Sequence, residues 1–395
     1  MTEQSDGPSA GPPVVTGFGV VSTHGSGVGR AWDALRQAFP AGRDWTPPGV
    51  DTPFFAAPLP DDYQAHAGIP SNVSHFLDRG AAMALDAALQ ALASAGLGAG
   101  AGDARRFAVA DGLGFRAPGQ ATLFVPYGHV IARALGVRGP VLSFGGAEAS
   151  GMEAVIGAVR LVARGEADVV IAGAAQSLQA PVLTHLAEQG AMAGAAAMPF
   201  DQRHAGLVPA EGAAYFVIES EAHARGRGAN PLATIAGTGE LFDSAAEPLA
   251  MADAGEAGRG IQITLSDAGF LQNQVDLVVS CADGRPAVDF VDGFGILRTF
   301  GRHVYYADVT TVAASLGHAL AASGPLSLAL AIEALNRQQV FPIAGLDVAE
   351  QGLELAYVRE AREERLDCVL VTSMGLGGTV AGVLLQRPAL TDHIR

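Results

Sequence analysis

Three positions in this sequence hold side chains that could carry out chemistry, and each lies within three residues of a glycine. Glu148 stands in residues 145–151 (GGAEASG), Cys281 in residues 280–284 (SCADG), and His318 directly follows Gly317. A carboxylate and an imidazole can transfer protons, and a thiol can act as a nucleophile once it is deprotonated. Because the three positions are far apart in the sequence, they can act together only if the fold brings them to one place.

A structural role is the alternative at each position. In the functional interpretation, Glu148 is held ionised by the N-terminus of the helix that follows it and pairs with His318 or with a cation from another subunit. In the structural interpretation it is only a hydrogen-bonding group, and a buried carboxylate needs partners in either case. His318 could be a core histidine with satisfied hydrogen bonds, and Cys281 a small buried hydrophobic residue. Other charged residues are predicted to form a structural network near the site: Asp201, Arg203 and Glu211.

Short apolar runs alternate with amphipathic segments along the chain. The apolar runs predict strands at 14–22, 107–110, 141–144, 169–173, 213–219, 232–235, 275–280, 368–372 and 380–385. The amphipathic segments predict helices at about 32–37, 77–95, 125–135, 149–163, 259–269 and 319–337. Strands that alternate with helices favour an α/β fold, in which helices cover both faces of a mostly parallel sheet.

A similar order of elements recurs in the second part of the sequence, which predicts an internally duplicated fold. The two halves are expected to cover 14–228 and 229–395, with the break near Gly228. Residues 1–13 are polar, small and rich in proline, and they are expected to form a flexible tail.

The composition excludes several classes of partner. With 24 basic and 40 acidic residues the net charge is −16, which disfavours binding to nucleic acid or to an anionic membrane. The first residues do not resemble a signal peptide and no apolar run is long enough to span a membrane, so we expect a soluble, cytoplasmic protein. Only 16% of the residues are charged, which is typical of a chain that buries surface against a partner.

Several motifs together resemble the β-ketoacyl synthases of the thiolase fold, over most of the chain from Val14 to about Arg387. They occur in the order found in that family. They are residues 16–22 (TGFGVVS), 165–168 (GEAD) ahead of 172–173 (AG), 199–201 (PFD), 208–212 (VPAEG), 317–318 (GH) ahead of 321–324 (AASG), and 375–379 (GLGGT).

The resemblance implies a duplicated α-β-α-β-α fold and an obligate dimer. It also implies decarboxylative condensation of acyl groups that are carried on an acyl carrier protein, with no cofactor and no metal ion. In this family the nucleophile is a cysteine at the N-terminus of a buried helix. Two histidines assist the decarboxylation and stabilise the enolate and the oxyanion.

This sequence departs from that catalytic set at several positions. Glu148 stands where the family has its cysteine, and a carboxylate cannot form the thioester through which the reaction passes. Cys281 replaces the first histidine, and Ala313 replaces the lysine that precedes the second histidine. His318 is retained, and Leu376 replaces the gating phenylalanine. We therefore expect no condensation in this subunit, and these positions to be relics.

The pattern resembles the chain length factor, the non-condensing subunit of type II polyketide synthases. That resemblance implies a heterodimer with an active ketosynthase, in which this subunit lines part of the acyl tunnel. The carrier protein would dock mainly on the active ketosynthase. Candidate tunnel or interface residues are Phe124, Tyr127, Val130 and Leu376, although core packing is an equal alternative for the first three.

Three features differ from the aromatic polyketide members of that subfamily, and they favour a partner for linear or polyene chains. Glu148 stands where glutamine is common, His318 is commonly absent, and residues 115–120 (FRAPGQ) form a short segment where a longer helix is usual. Two other functions remain open. One is a malonyl decarboxylase that uses protonated Glu148 as a donor, and the other is a homodimeric acyl-binding protein.

Overall fold

The protein consists of two halves with corresponding elements. The structure, a computed structural model, describes residues 11–65, 69–74, 77–98, 102–115, 125–247 and 250–388. The first half contains strands β1 (Pro13–Ser22), β2 (Gly25–Ser26), β3 (Arg43–Trp45), β4 (Phe54–Ala56), β5 (Phe107–Gly112), β6 (Val141–Phe144), β7 (Val169–Gln176) and β8 (Gly212–Ser220). Its helices are α1 (Val28–Arg36), α2 (Arg79–Ser94), α3 (Tyr127–Leu135), α4 (Ser150–Ala163), α5 (Ala180–Glu188) and α6 (Glu221–Gly226).

The second half repeats this plan. Its strands are β9 (Ala233–Phe242), β10 (Leu277–Val279), β11 (Asp308–Thr310), β12 (Gln339–Val340), β13 (Ala356–Tyr357), β14 (Arg362–Glu363), β15 (Cys368–Gly375) and β16 (Thr379–Gln386). Its helices are α7 (Ala254–Ala268), α8 (Pro286–Phe300), α9 (Ala313–Leu316) and α10 (Ser323–Arg337).

The sheet makes the duplication explicit. In the first half the strand order is β1-β8-β7-β5-β6, and in the second half it is β9-β16-β15-β10-β11, with β13 beyond β11. The two strands nearest the junction are antiparallel to their neighbours and the outer ones are parallel, in the same pattern in both halves. Strands β1 and β9 pair with each other and join the halves.

Helices form layers on both sides of these strands. Helices α4 and α10 contact each other and strands of both halves, so they form the central layer. Helices α2 and α3 cover the outer face of the first half, and α7 covers β9 and β16 with α8 packed against it. This is the duplicated α/β fold that the sequence predicted. Within the described residues, no helix is long and apolar enough to span a membrane.

Glycines on the first strand of each half allow the outer helix to approach closely. A Cβ atom on Gly19 would lie 2.1 Å from the carbonyl oxygen of Ala87 in α2, and one on Gly17 would lie 2.3 Å from that of Ala91. Gly239 on β9 has the same relation to α7. Residues 16–22, one of the motifs that carry the resemblance, therefore have a packing function.

Most predicted elements are present with small shifts at their ends, but four short or irregular helices were not predicted: α5, α6, α8 and α9. The described end of the predicted tail is attached to the fold, because β1 begins at Pro13 and the carbonyl of Pro12 accepts a hydrogen bond from the Glu221 N–H. Gly228 lies between α6 and β9. The division of the chain at that residue stays a prediction.

The close approach of β1 to α2 can be tested at Gly19. We expect Gly19→Ala to lower the free energy of unfolding by roughly 1–3 kcal/mol, because the new methyl group overlaps the α2 backbone. Gly29→Ala is the matched control, since Gly29 is exposed in α1 with open space around it. There alanine should leave stability unchanged or raise it by up to about 1 kcal/mol. Equal effects in urea denaturation would contradict this account.

Candidate functional site

The candidate site lies where loops from both halves meet. Its backbone comes from the turn after β6, the loop after β10, the residues after α9, and the turn between β15 and β16. Glu148, Cys281 and His318 all line one small cavity at this place. The structure thus brings together the three positions that the sequence singled out.

Glu148 is buried in a 3-10 turn, Ala147–Ala149, that leads into helix α4. The turn is tightly constrained, because Ala147 has φ +53° and a Cβ on Gly375 would lie 2.3 Å from the Gly146 carbonyl oxygen. Glu148 Oε2 accepts a hydrogen bond of 3.3 Å from the Leu376 N–H. That N–H is therefore occupied by a side chain of the protein itself, and it is not free to bind a substrate oxygen.

The cation beside Glu148 is Arg285, which precedes the first residue of α8. Its Nη2 lies 3.1 Å from Glu148 Oε1 and 2.7 Å from Asp283 Oδ2. Burial opposes the charged guanidinium, but Asp283 and Glu148 raise the pKa of Arg285 above its usual range, so it is a cation. The predicted partners of Glu148, His318 or a cation from another subunit, are thus corrected: the cation belongs to the same chain.

Asp283 links this ion pair to His318. Asp283 Oδ2 lies 3.5 Å from His318 Nε2, and both side chains are buried. Burial alone would raise the pKa of Asp283, but Arg285 and His318 hold it below its usual range. Burial lowers the pKa of His318, and Asp283 only partly opposes this. His318 Nδ1 has no hydrogen-bond partner among the described residues.

Cys281 is not activated as a nucleophile. Burial, followed by the neighbouring Asp292, raises the pKa of its thiol well above the usual value. The thiolate is the reactive form of cysteine, so Cys281 is a neutral, unreactive thiol at physiological pH. The hydroxyl of Thr372 accepts a hydrogen bond from the Cys281 N–H and donates one to Asp292.

Asp289 holds the loop that carries Asp283 and Arg285. Its Oδ1 accepts the N–H groups of Asp283 and Gly284, each at 3.0 Å. Its Oδ2 accepts the Phe200 N–H and contacts His204 Nδ1, each at 2.8 Å. A buried carboxylate of α8 therefore holds the backbone of the loop after β10. This loop backbone positions Arg285, which directly follows Gly284.

The other charged residues predicted near the site form two separate groups rather than one network. Asp201 pairs with Arg203 at 2.6 Å and accepts the N–H groups of Asp347 and Val348. Glu211 pairs with Arg79 at 2.7 Å, in another part of the first half. Both groups support loops, as the structural interpretation of these residues predicted.

The space at the site is small. The cavity lined by Glu148, Cys281 and His318 has a volume of about 20 Å³, enough for one water molecule and too small for an acyl group. An outer pocket of about 420 Å³ lies beside it, lined by Leu376 among others. Within the described residues no group of His, Cys, Asp and Glu is arranged to hold a metal ion.

The tunnel candidates lie in different places. Leu376 is half-buried at the outer pocket, whereas Tyr127 and Val130 are buried in the core of the first half, between α3 and the neighbouring elements. Phe124 lies outside the described residues. The tunnel function of these residues stays a prediction, and the contacts of Tyr127 and Val130 are those of core packing.

The lowered pKa of His318 predicts a pH dependence. A histidine that is buried in its neutral form destabilises the folded state as the pH falls from its ordinary pKa of 6.5 towards the lower folded value, because the unfolded chain binds the proton more readily. We expect His318→Asn to lose less stability than the parent protein over this interval. Urea denaturation at a series of pH values checks this. Parallel curves for the two proteins would show that His318 is not held neutral.

The chain matches the model of the N-terminal domain of β-ketoacyl synthases over residues 12–224 and that of the C-terminal domain over residues 232–347. It is 30% identical to a putative polyketide β-ketoacyl synthase 1 of Streptomyces cyaneus, covering 95% of this chain and 98% of the relative.

Two solved structures share the fold. A β-ketoacyl synthase from Burkholderia phymatum is 26% identical, with a TM-score of 0.87 over 96% of this chain and all of that one. The ishigamide ketosynthase/chain length factor is 24% identical, with a TM-score of 0.87 over 96% of this chain and 99% of that one, which shows the fold alone. The fold is therefore the thiolase-like fold that the motifs predicted, and the chain belongs to the β-ketoacyl synthase family.

Proposed function

We propose that this protein is the non-condensing subunit of a type II polyketide ketosynthase, similar to a chain length factor. It would form a heterodimer with an active β-ketoacyl synthase and contribute to the tunnel that holds the growing acyl chain. The observation that carries this proposal is Glu148 at the nucleophile position, paired with Arg285 in a cavity of about 20 Å³.

The chemistry of the site argues against condensation by this chain alone. Condensation requires a nucleophile that becomes acylated, and Glu148 is an ion-paired carboxylate that cannot form a thioester. Cys281 is a neutral thiol with a raised pKa, and it does not replace that nucleophile. His318 remains, but a lone neutral imidazole without an acyl acceptor performs no condensation.

The same geometry disfavours decarboxylation of a malonyl group. A decarboxylase needs donors for the oxyanion that develops on the thioester oxygen. Here Glu148 carries a negative charge beside Arg285, and the Leu376 N–H already donates to Glu148. A protonated Glu148 that donates a hydrogen bond would have to abandon its pairing with the cation.

One edge of the sheet supports a partner subunit. Strand β6 is the last strand of the first half, and it pairs only with β5 among the described residues. Leu142 on this strand is 36% exposed. An edge strand with free N–H and C=O groups and an apolar side chain is a template for pairing with another chain. In the β-ketoacyl synthases that this chain resembles, the segment that corresponds to 120–144 contributes to the dimer contact, and β6 lies in this segment.

The charge of the chain bears on the carrier protein. Acyl carrier proteins of this family are acidic, and this chain has a net charge of −16. Like charges disfavour association, so we propose that the carrier protein docks mainly on the active partner.

The heterodimer can be tested by co-expression with a cysteine-bearing ketosynthase from the same gene cluster. We expect native mass spectrometry to detect a 1:1 complex that condenses malonyl groups on a carrier protein. Replacing the nucleophilic cysteine of the partner should abolish the activity, whereas Glu148→Ala should reduce it by less than about tenfold, since Glu148 forms no covalent intermediate. A stable homodimer that does not bind the ketosynthase would contradict the proposal and favour the acyl-binding alternative.

A cysteine introduced at position 148 should not by itself make this chain accept an acyl group. We expect Glu148→Cys to give no detectable acylation when the purified chain is incubated with acyl carrier protein substrates, because the cavity has no room for an acyl group. Intact-mass measurement of the protein after incubation checks this. An acyl adduct on residue 148 would show that the site is still accessible and chemically competent.

A further inference from the structure

Two cavities of very different size share one wall at the start of helix α8. The outer pocket, of about 420 Å³, is lined by residues that include Leu186, Met251 and Leu376. The inner cavity, of about 20 Å³, is the one that contains Glu148, Cys281 and His318. Among the described residues, Arg285 and Val288 line both spaces, so their side chains separate the outer pocket from the inner cavity.

The two residues of this wall are held differently. Val288 is buried and packs with apolar neighbours such as Met374, as a core residue does. Arg285 is long and polar, and its side chain is only 12% exposed. It stays in place because its Nη2 contacts both Asp283 and Glu148, and its Nε also donates to Asp283. The planar guanidinium presents several donors in a fixed geometry, so it can bridge two carboxylates in a way that lysine cannot.

We propose that Arg285 is a plug that closes the inner cavity of this subunit to acyl chains entering the outer pocket. Glu148 holds Arg285 in this position, since it supplies one of the two carboxylates that contact the guanidinium. This inference rests on the proposed function for its biological consequence: an acyl group on its carrier would be kept out of the relic site and left to the active partner. The closure itself is a property of this chain.

The two cysteines provide a direct test on the purified protein. Cys281 lines the inner cavity and is partly buried, whereas Cys368 is buried in the core of the second half. Because the raised pKa of Cys281 makes its alkylation by iodoacetamide slow, the rates are compared at one alkaline pH, where part of the thiol is ionised. Under these conditions this small neutral reagent should alkylate Cys281 faster only when the passage opens. Cys368 should react faster only when the protein unfolds.

Two matched double variants separate the effect of side-chain size on access to the inner cavity from the effect of side-chain charge. Glu148→Ala/Arg285→Ala removes the ion pair and the bulk of the plug. Glu148→Gln/Arg285→Met removes the same charges but keeps side chains of similar size. Removing both partners together avoids a carboxylate without its cation at Glu148. Both variants leave the buried Asp283 without Arg285, so this destabilisation is common to the two and cancels when they are compared.

We expect the double alanine variant to alkylate at Cys281 about tenfold faster than the parent, with the Gln/Met variant within about threefold of the parent and Cys368 unchanged in all three. Peptide mapping of the alkylated protein gives both rates. Rapid alkylation of Cys281 in the parent, or equal rates in the two double variants, would overturn the plug. If Cys368 accelerates in a variant, the Cys281 rate is divided by the Cys368 rate of the same variant, and a ratio no higher in the double alanine variant than in the parent overturns the plug.

This measurement uses the chain alone, so its outcome is independent of heterodimer formation. A closed parent that forms no complex with a ketosynthase would retain the plug and reject the proposed function. If Cys281 of the parent protein reacts rapidly and an active complex with the ketosynthase forms, the proposed function stands and the plug is rejected.

Discussion

The arrangement of the site depends on one buried cation held between two buried carboxylates. Arg285 lies within 3.1 Å of Glu148 and within 2.7 Å of Asp283, and all three side chains are largely removed from water. Removing one partner of such a group typically costs about 3–5 kcal/mol, because a charge is then left buried without compensation. The three residues therefore stabilise the site as a unit, and a carboxylate at position 148 is tolerated because the loop after β10 supplies its counterion.

That loop is itself positioned by the fold of the second half. Asp289, in the first turns of α8, accepts N–H groups from Asp283 and Gly284 and so fixes the backbone that carries Arg285. Helix α8 in turn packs against α7 through Gly258 and Gly295, where a Cβ on Gly258 would lie 3.2 Å from the Gly295 carbonyl oxygen. A chain of contacts thus connects helix packing on the outside of the protein to the direction of one guanidinium in its interior.

The sequence predicted the duplicated fold and the three positions of the site, because apolar runs and glycine-rich motifs are local signals. It did not predict α8, since two glycines and the buried Asp289 and Asp292 interrupt the apolar periodicity of that helix. Arg285 was missed for a related reason. It directly follows residues 280–284, which were recognised as a replacement for a histidine motif, but nothing local distinguishes a buried arginine from an exposed one. Its counterion, Glu148, is 137 residues earlier in the sequence.

The substitutions at this site are coupled physically. An anionic side chain at position 148 needs a cation, and the Arg285 side chain that provides it occupies space between the outer pocket and the inner cavity. The Glu148 carboxylate also accepts the Leu376 N–H, so this donor is not available to a developing oxyanion. Replacing Glu148 alone by cysteine would supply a thiol but leave Arg285 beside it, paired only with Asp283. The closure that we propose therefore depends on several residues at once, and these residues lie on loops and a 3-10 turn rather than on the strands and helices that define the fold.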